Sequence, residues 1–116
     1  MRLVIGGAYQ GKLTWAMQEY DISAAEVCDL AREDPRPGCR CYTHLEALTK
    51  RDDAPERWLP LLENSVVISR EIGCGVVPME AFKRLWRERH GALLQQLAKK
   101  AERVTRVLCG LAEELK

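Results

Sequence analysis

The sequence predicts an α/β layered domain with a mostly parallel sheet, and three observations carry that prediction. Short apolar, β-branched runs alternate along the chain with segments of helical spacing. The first run, Leu3-Val4-Ile5, stops at glycines and is followed at once by a helical pattern. The clearest run, Ser65-Val66-Val67-Ile68-Ser69, also feeds a loop containing glycines. At 116 residues the chain has room for one core, so a single domain is expected over residues 1–116.

In order along the chain, residues 3–5 read as a buried strand. Residues 12–20 read as a helix with Leu13, Ala16 and Met17 on one side. Residues 26–30 suggest a short second strand. Residues 32–40 contain Pro35, Pro37 and Gly38 and must be a loop. Leu45 and Leu48 give residues 42–50 helical spacing, and residues 55–63 offer another helix around Pro60. After the strand at 65–69 and its loop, residues 79–103 form the longest helical pattern, with Phe82, Leu85, Trp86, Leu93, Leu97 and Ala101 recurring at three- and four-residue steps. Residues 104–109 read as a last strand, and the tail from Leu111 is ambiguous between helix and strand.

Composition narrows the function. Apolar residues are 47% and charged residues 30%, with a formal net charge of +1, so no global field draws the chain to nucleic acid or to a membrane surface. No apolar run is long enough to cross a bilayer, and the first residues run into glycines without the apolar core of a signal peptide. The five scattered cysteines then read as reduced thiols of a cytoplasmic protein. Cys39 and Cys41 are the one close pair, and with His44 they supply too few ligands for an ordinary zinc site.

The segment Gly6-Gly7-Ala8-Tyr9-Gln10-Gly11-Lys12-Leu13-Thr14 follows the P-loop pattern of glycine, four residues and Gly-Lys. Glycines let successive backbone N–H groups converge on phosphate oxygens, the following helix aims its positive end at the same point, and Lys12 adds a full charge. Residues 6–14 are therefore the expected nucleotide-binding set, with ATP or GTP as the ligand. Leu13 stands where Ser or Thr would ligate Mg²⁺, and Thr14 falls about a quarter-turn away. Phosphate cradling survives that change, while metal-dependent turnover is weakened. Glu71, just past the strand at 65–69, could hold Mg²⁺ through water or orient a nucleophile. In open α/β sheets the ligand lies beyond the carboxyl ends of the strands, which groups residues 6–12, the turn after Leu30 and the loop at 70–78.

These motifs resemble the adenosylcobinamide kinase / adenosylcobinamide-phosphate guanylyltransferase family. The P-loop is similar to that family's, and Ser69-Arg70-Glu71-Ile72-Gly73-Cys74-Gly75-Val76-Val77-Pro78 resembles its Asn-Glu-Val-Gly-x-Gly-Ile-Val-Pro signature, with Arg70 in place of Asn. The segment from Arg103 to Leu111 is similar to its closing strand and Ser-Gly-Ile-Gly turn. The likeness covers residues 1–17 and 65–116 and is poor between them.

The resemblance implies a P-loop NTPase-like three-layer fold of reduced size. It implies phosphorylation of the aminopropanol hydroxyl of cobinamide in cobalamin assembly, with Lys12 and Glu71 as the catalytic pair and a corrinoid as the second substrate. Family members assemble as oligomers, so a homo-oligomer is expected. The family's guanylyl-accepting histidine belongs to a segment shortened here. His44 and His90 read as surface or packing histidines, and guanylyl transfer is not expected. Asp29 is the nearest substitute for the family's strand-end acid and, with Glu71, a candidate Mg²⁺ ligand. A nucleotide-binding module without turnover and an oligomerising domain stand as alternatives to the kinase.

Overall fold

The computed structural model describes residues 1–71 and 80–116. Six strands form one sheet in the order β2-β3-β4-β1-β5-β6. They are β1 (Arg2–Gly6), β2 (Val27–Asp29), β3 (Cys41–Thr43), β4 (Val66–Arg70), β5 (Arg103–Leu108) and β6 (Leu111–Glu114). β1 runs parallel to both β4 and β5, β3 parallel to β2 and β4, and β6 alone antiparallel, against β5.

Alternation along the strands divides the core into two layers. Leu3, Val67 and Val104 face a cluster with Leu45 and Leu48 of helix α2 (Leu45–Arg51), Leu62 of the short α3 (Leu59–Leu62), and Leu93 and Leu97 of α4 (Ala81–Lys100). Val4, Val66, Ile68 and Val107 face the opposite way, onto Ala16, Leu13 and Met17 of α1 (Lys12–Glu19). Helices thus cover both faces, and the expected three-layer architecture is what the chain adopts.

Three expectations need correction. Tyr42 does not begin a helix: it lies inside β3, fully buried, and α2 starts at Leu45. A strand of three residues offers no period to distinguish it from a helical turn. His44 makes the break between the two, at φ 62°, and the strand direction turns there into the helix. The stretch at 55–63 is a 3₁₀ turn, Pro55–Trp58, followed by α3 rather than one helix.

The apolar stripe of α4 is only partly a core face. Phe82 and Leu85 are about half exposed, at 52% and 51%, whereas Trp86 is joined to α2, its indole Nε1–H donating to Thr49 at 3.0 Å. Leu111 onward is a strand, reached through a two-residue turn in which Cys109 and Gly110 both have positive φ, 52° and 75°. Such turns match the right-handed twist of the strands they join. Among the described residues no helix is long and apolar enough to cross a membrane.

Candidate nucleotide site

Parallel strands bring their carboxyl ends to one edge of the sheet, and there the glycine loop leaves β1. Gly6 has no room for a side chain, since a Cβ would sit 2.5 Å from the Val107 carbonyl oxygen of β5. Gly11, at φ 84°, is the left-handed cap that turns the loop into α1. Among the described residues no side chain caps α1, so its first-turn N–H groups stay free for an anion. Tyr9 sits at the tip of the loop, fully exposed and also in the left-handed region at φ 58°.

Gln10 is bonded to the β5–β6 turn. Its Oε1 accepts from the Cys109 N–H at 2.6 Å, and its carbonyl accepts from the Gly110 N–H at 2.9 Å. The loop is thereby fastened to the β5–β6 turn. Leu13 packs with the α1-side core and Thr14 is exposed, so the residue at the usual Mg²⁺-ligating position serves packing.

Lys12 lies half-buried beneath the loop, its Nζ donating to the Gly7 carbonyl at 2.6 Å. Burial pulls its pKa below the usual lysine range; Glu46 and Glu71 push it up and Arg70 pulls it further down. Glu71 is tied to the loop through its N–H, which donates to the Gly6 carbonyl at 2.9 Å, and its carboxylate faces Arg106 Nε at 3.7 Å. Glu46, in the first turn of α2, accepts the Arg70 N–H on Oε1 at 2.8 Å. Lys12, Arg70 and Arg106 therefore alternate with Glu46 and Glu71, an arrangement suited to a polyanion and its counter-ion.

Glu46 was not foreseen. No capping pattern marks it: α2 starts from His44 in the left-handed region without a side-chain cap, and Thr43 belongs to β3. Asp29 is at the same sheet edge but is engaged elsewhere. Its Oδ1 meets His44 Nδ1 at 2.7 Å and accepts from the Ala31 N–H at 3.0 Å, while Oδ2 faces Arg32 Nε at 3.6 Å. Burial raises the Asp29 pKa, but the Ala31 N–H, His44 and Arg32 outweigh it and leave the carboxyl below its ordinary value.

His44 is thus not an ordinary helix-surface histidine but a strand-end residue with a carboxylate partner. His90 is fully buried between two hydroxyls, Thr49 Oγ1 on Nδ1 and Ser69 Oγ on Nε2, both at 2.8 Å. The described residues contain no group of three His, Cys, Asp or Glu placed to hold a metal. Cys39 and Cys41 pack on opposite faces of the sheet, and burial pushes the Cys41 thiol up to about 12. The glycines and prolines at 73–78 lie outside the described residues.

A mostly parallel sheet with helices on both faces, and a glycine loop that enters a helix with a lysine under it, define a P-loop-type α/β domain. The model for cobinamide kinase / cobinamide phosphate guanyltransferase matches residues 42–115. The chain belongs to that family. Residues 42–64, where the likeness in sequence is poor, fall inside the match, while β1, the glycine loop and α1 precede it. No curated protein matches the chain.

Proposed function

We propose that this chain is a cobinamide kinase: it holds a nucleoside triphosphate, ATP or GTP, on residues 6–14 and passes the terminal phosphoryl group to the aminopropanol hydroxyl of cobinamide. The observation that carries the reading is Lys12 beneath the loop with Glu46 and Glu71 beside it at the carboxyl edge of the sheet. In the transfer, the hydroxyl oxygen bonds to the γ-phosphorus as the bond to the bridging oxygen breaks, and the diphosphate leaves.

Lys12 and the amides of the loop offset charge on the phosphoryl oxygens, with Arg70 and Arg106 on the outer side. Glu71 or Glu46 accepts the hydroxyl proton. These two carboxylates would also hold a mostly hydrated Mg²⁺, which supplies charge neutralisation across the outer phosphates; Leu13 contributes nothing to it. A corrinoid would approach the same edge.

The guanylyl-transfer half of the family's chemistry is expected to be missing. His44 is the histidine that would carry an adduct if it were not, because Asp29 fixes its Nδ1 and leaves Nε2 as the nucleophile. Incubation with labelled GTP should leave no acid-labile guanylate on the protein, and label lost in His44→Ala would reverse that reading. A second reading, nucleotide binding without turnover, is favoured by the packing of Leu13.

Adenosylcobinamide tested in parallel with ATP and GTP separates the readings. Turnover abolished in Lys12→Ala supports the kinase. A nucleotide-induced thermal shift lost in Lys12→Ala, with no phosphorylated product from the parent, supports the binding module. No shift in the parent refutes both.

A further inference from the structure

The β5–β6 hairpin presents apolar side chains on the α4 side of the sheet that stay exposed. Val104 packs in the α4-side core and Val107 in the opposite one, so alternation puts Val104, Arg106 and Leu108 on the α4 side. Antiparallel register sets Leu111 beside Leu108, and the Leu115 N–H donates to the Val104 carbonyl at 2.8 Å. All three leucines are more than half exposed.

Between this hairpin and α4 runs an open groove of about 540 Å³. Its floor is Leu3 and Ile5 of β1 with Val104 of β5. Leu94 and Ala98 line it from α4, and Leu115 lines it from the hairpin side. Lys116 closes one end, its Nζ donating to the Ala98 and Lys99 carbonyls at 3.0 and 2.9 Å.

The other end opens toward the proposed transfer site. Ile5 pairs in register with Ser69 of β4 and Arg106 of β5, and Arg106 Nε faces the Glu71 carboxylate at 3.7 Å. Leu108 and Leu111 carry the apolar surface past that ion pair. Small-molecule sites span roughly 300–1,000 Å³ and combine apolar walls with a few polar groups that fix orientation. A groove that is apolar along its length and meets a carboxylate and a guanidinium near one end suits a ligand with a broad apolar body and one polar, reacting arm.

We propose that this groove seats the corrin ring of cobinamide, edge-on between α4 and the hairpin, with the aminopropanol arm reaching Glu71. The identity of the ligand rests on the kinase reading. The alkyl-rich edge of the ring lies on Leu3, Ile5 and Val104, and Lys99 at the rim donates to a peripheral carboxamide. The nucleotide, on the glycine loop, makes no use of the groove.

The test places a charge in the groove. Leu115→Glu does so at a position already 52% exposed, where the fold should tolerate it, and Ala98→Glu does so from α4. Leu85→Glu is the control, 51% exposed on the same helix but outside the groove. Equilibrium dialysis with cobinamide, read by the visible absorbance of the corrin, measures affinity in the intact chain. Steady-state kinetics with adenosylcobinamide and ATP or GTP measures each KM. Both groove variants should weaken corrinoid binding and raise the KM for adenosylcobinamide about tenfold, the effect of losing about one leucine-sized contact, while the KM for nucleotide does not move. Leu85→Glu should bind corrinoid as the parent does.

Unchanged corrinoid affinity in both groove variants, or an equal loss in Leu85→Glu, would overturn the proposal. So would an oligomer that Leu115→Glu or Ala98→Glu dissociates with corrinoid affinity intact, which would make the groove a contact between copies. A parent that binds no corrinoid overturns it as well. A parent that binds corrinoid, loses it in the groove variants and transfers no phosphoryl group would remove the kinase reading and support the groove.

Discussion

Replacing Gly6 by alanine tests the idea that the glycine loop is shaped by its neighbours rather than by its own flexibility. The new methyl carbon would lie 2.5 Å from the Val107 carbonyl oxygen, where ordinary contact begins near 3.4 Å. The obstacle is backbone, so nothing can rotate away; β1 and β5 must separate, or the Gly6 carbonyl must give up the Glu71 N–H that it holds at 2.9 Å. Forced overpacking of this kind costs about 1–3 kcal/mol, and a lost backbone hydrogen bond adds about 1. For a domain of this size the melting temperature should fall by about 8–16 °C.

Gly7 supplies the control. A Cβ there meets only the Gln10 side chain, at 3.7 Å, an ordinary contact, so Gly7→Ala should lie within about 0.5 kcal/mol of the parent. Urea unfolding followed by tryptophan fluorescence compares the three proteins on one scale. Equal stability of Gly6→Ala and the parent, or equal damage from both alanines, would refute the steric argument.

His90 should make stability depend on pH. Burial holds its pKa below the usual histidine value, with the Arg70 backbone and Glu46 pushing up and the Arg70 charge pushing down, so the unfolded chain takes up a proton that the folded chain refuses. The contribution is complete above about pH 6.5 and declines as pH falls from there toward the depressed folded value, a slope that His90→Phe should flatten in urea titrations at several pH values. Gln10→Ala leaves the Cys109 N–H without its acceptor and should weaken nucleotide binding severalfold in isothermal titration, whereas Gln10→Glu keeps an acceptor and should largely restore it. Arg103→Lys replaces a fork that reaches Glu114 through Nε at 2.6 Å and Nη2 at 2.8 Å. Because both side chains are about a third or more exposed, the loss should stay below about 1 kcal/mol and appear as faster amide exchange confined to β6.

Sequence reasoning reached the parts of the fold where local pattern and tertiary demand agree. β1 and β4 are short apolar runs, largely buried, and glycine at 6 and 11 marks a loop that other residues could not make. It failed where the deciding interaction is distant. Tyr42 looks helical beside Leu45 and Leu48 until β4 claims it as a strand. Phe82 and Leu85 have core spacing, yet both are about half exposed, and spacing alone does not say which turns of a helix find a partner. Gln10 resembles any loop residue until the turn at Cys109 is in place. Strand order brings Glu46 to the Arg70 N–H and Asp29 to His44, and single-chain periodicity does not encode strand order.

The bond between Gln10 and the Cys109 N–H spans 99 positions of sequence, and β1 takes its two sheet partners from residues 66–70 and 103–106. A loop written into the first dozen residues is therefore assembled last. As the chain leaves the ribosome, α1 can form early, yet the glycine loop has no rear wall until the β5–β6 turn emerges. Competence to hold a ligand should arrive late and abruptly, as a marker of finished folding rather than a seed for it.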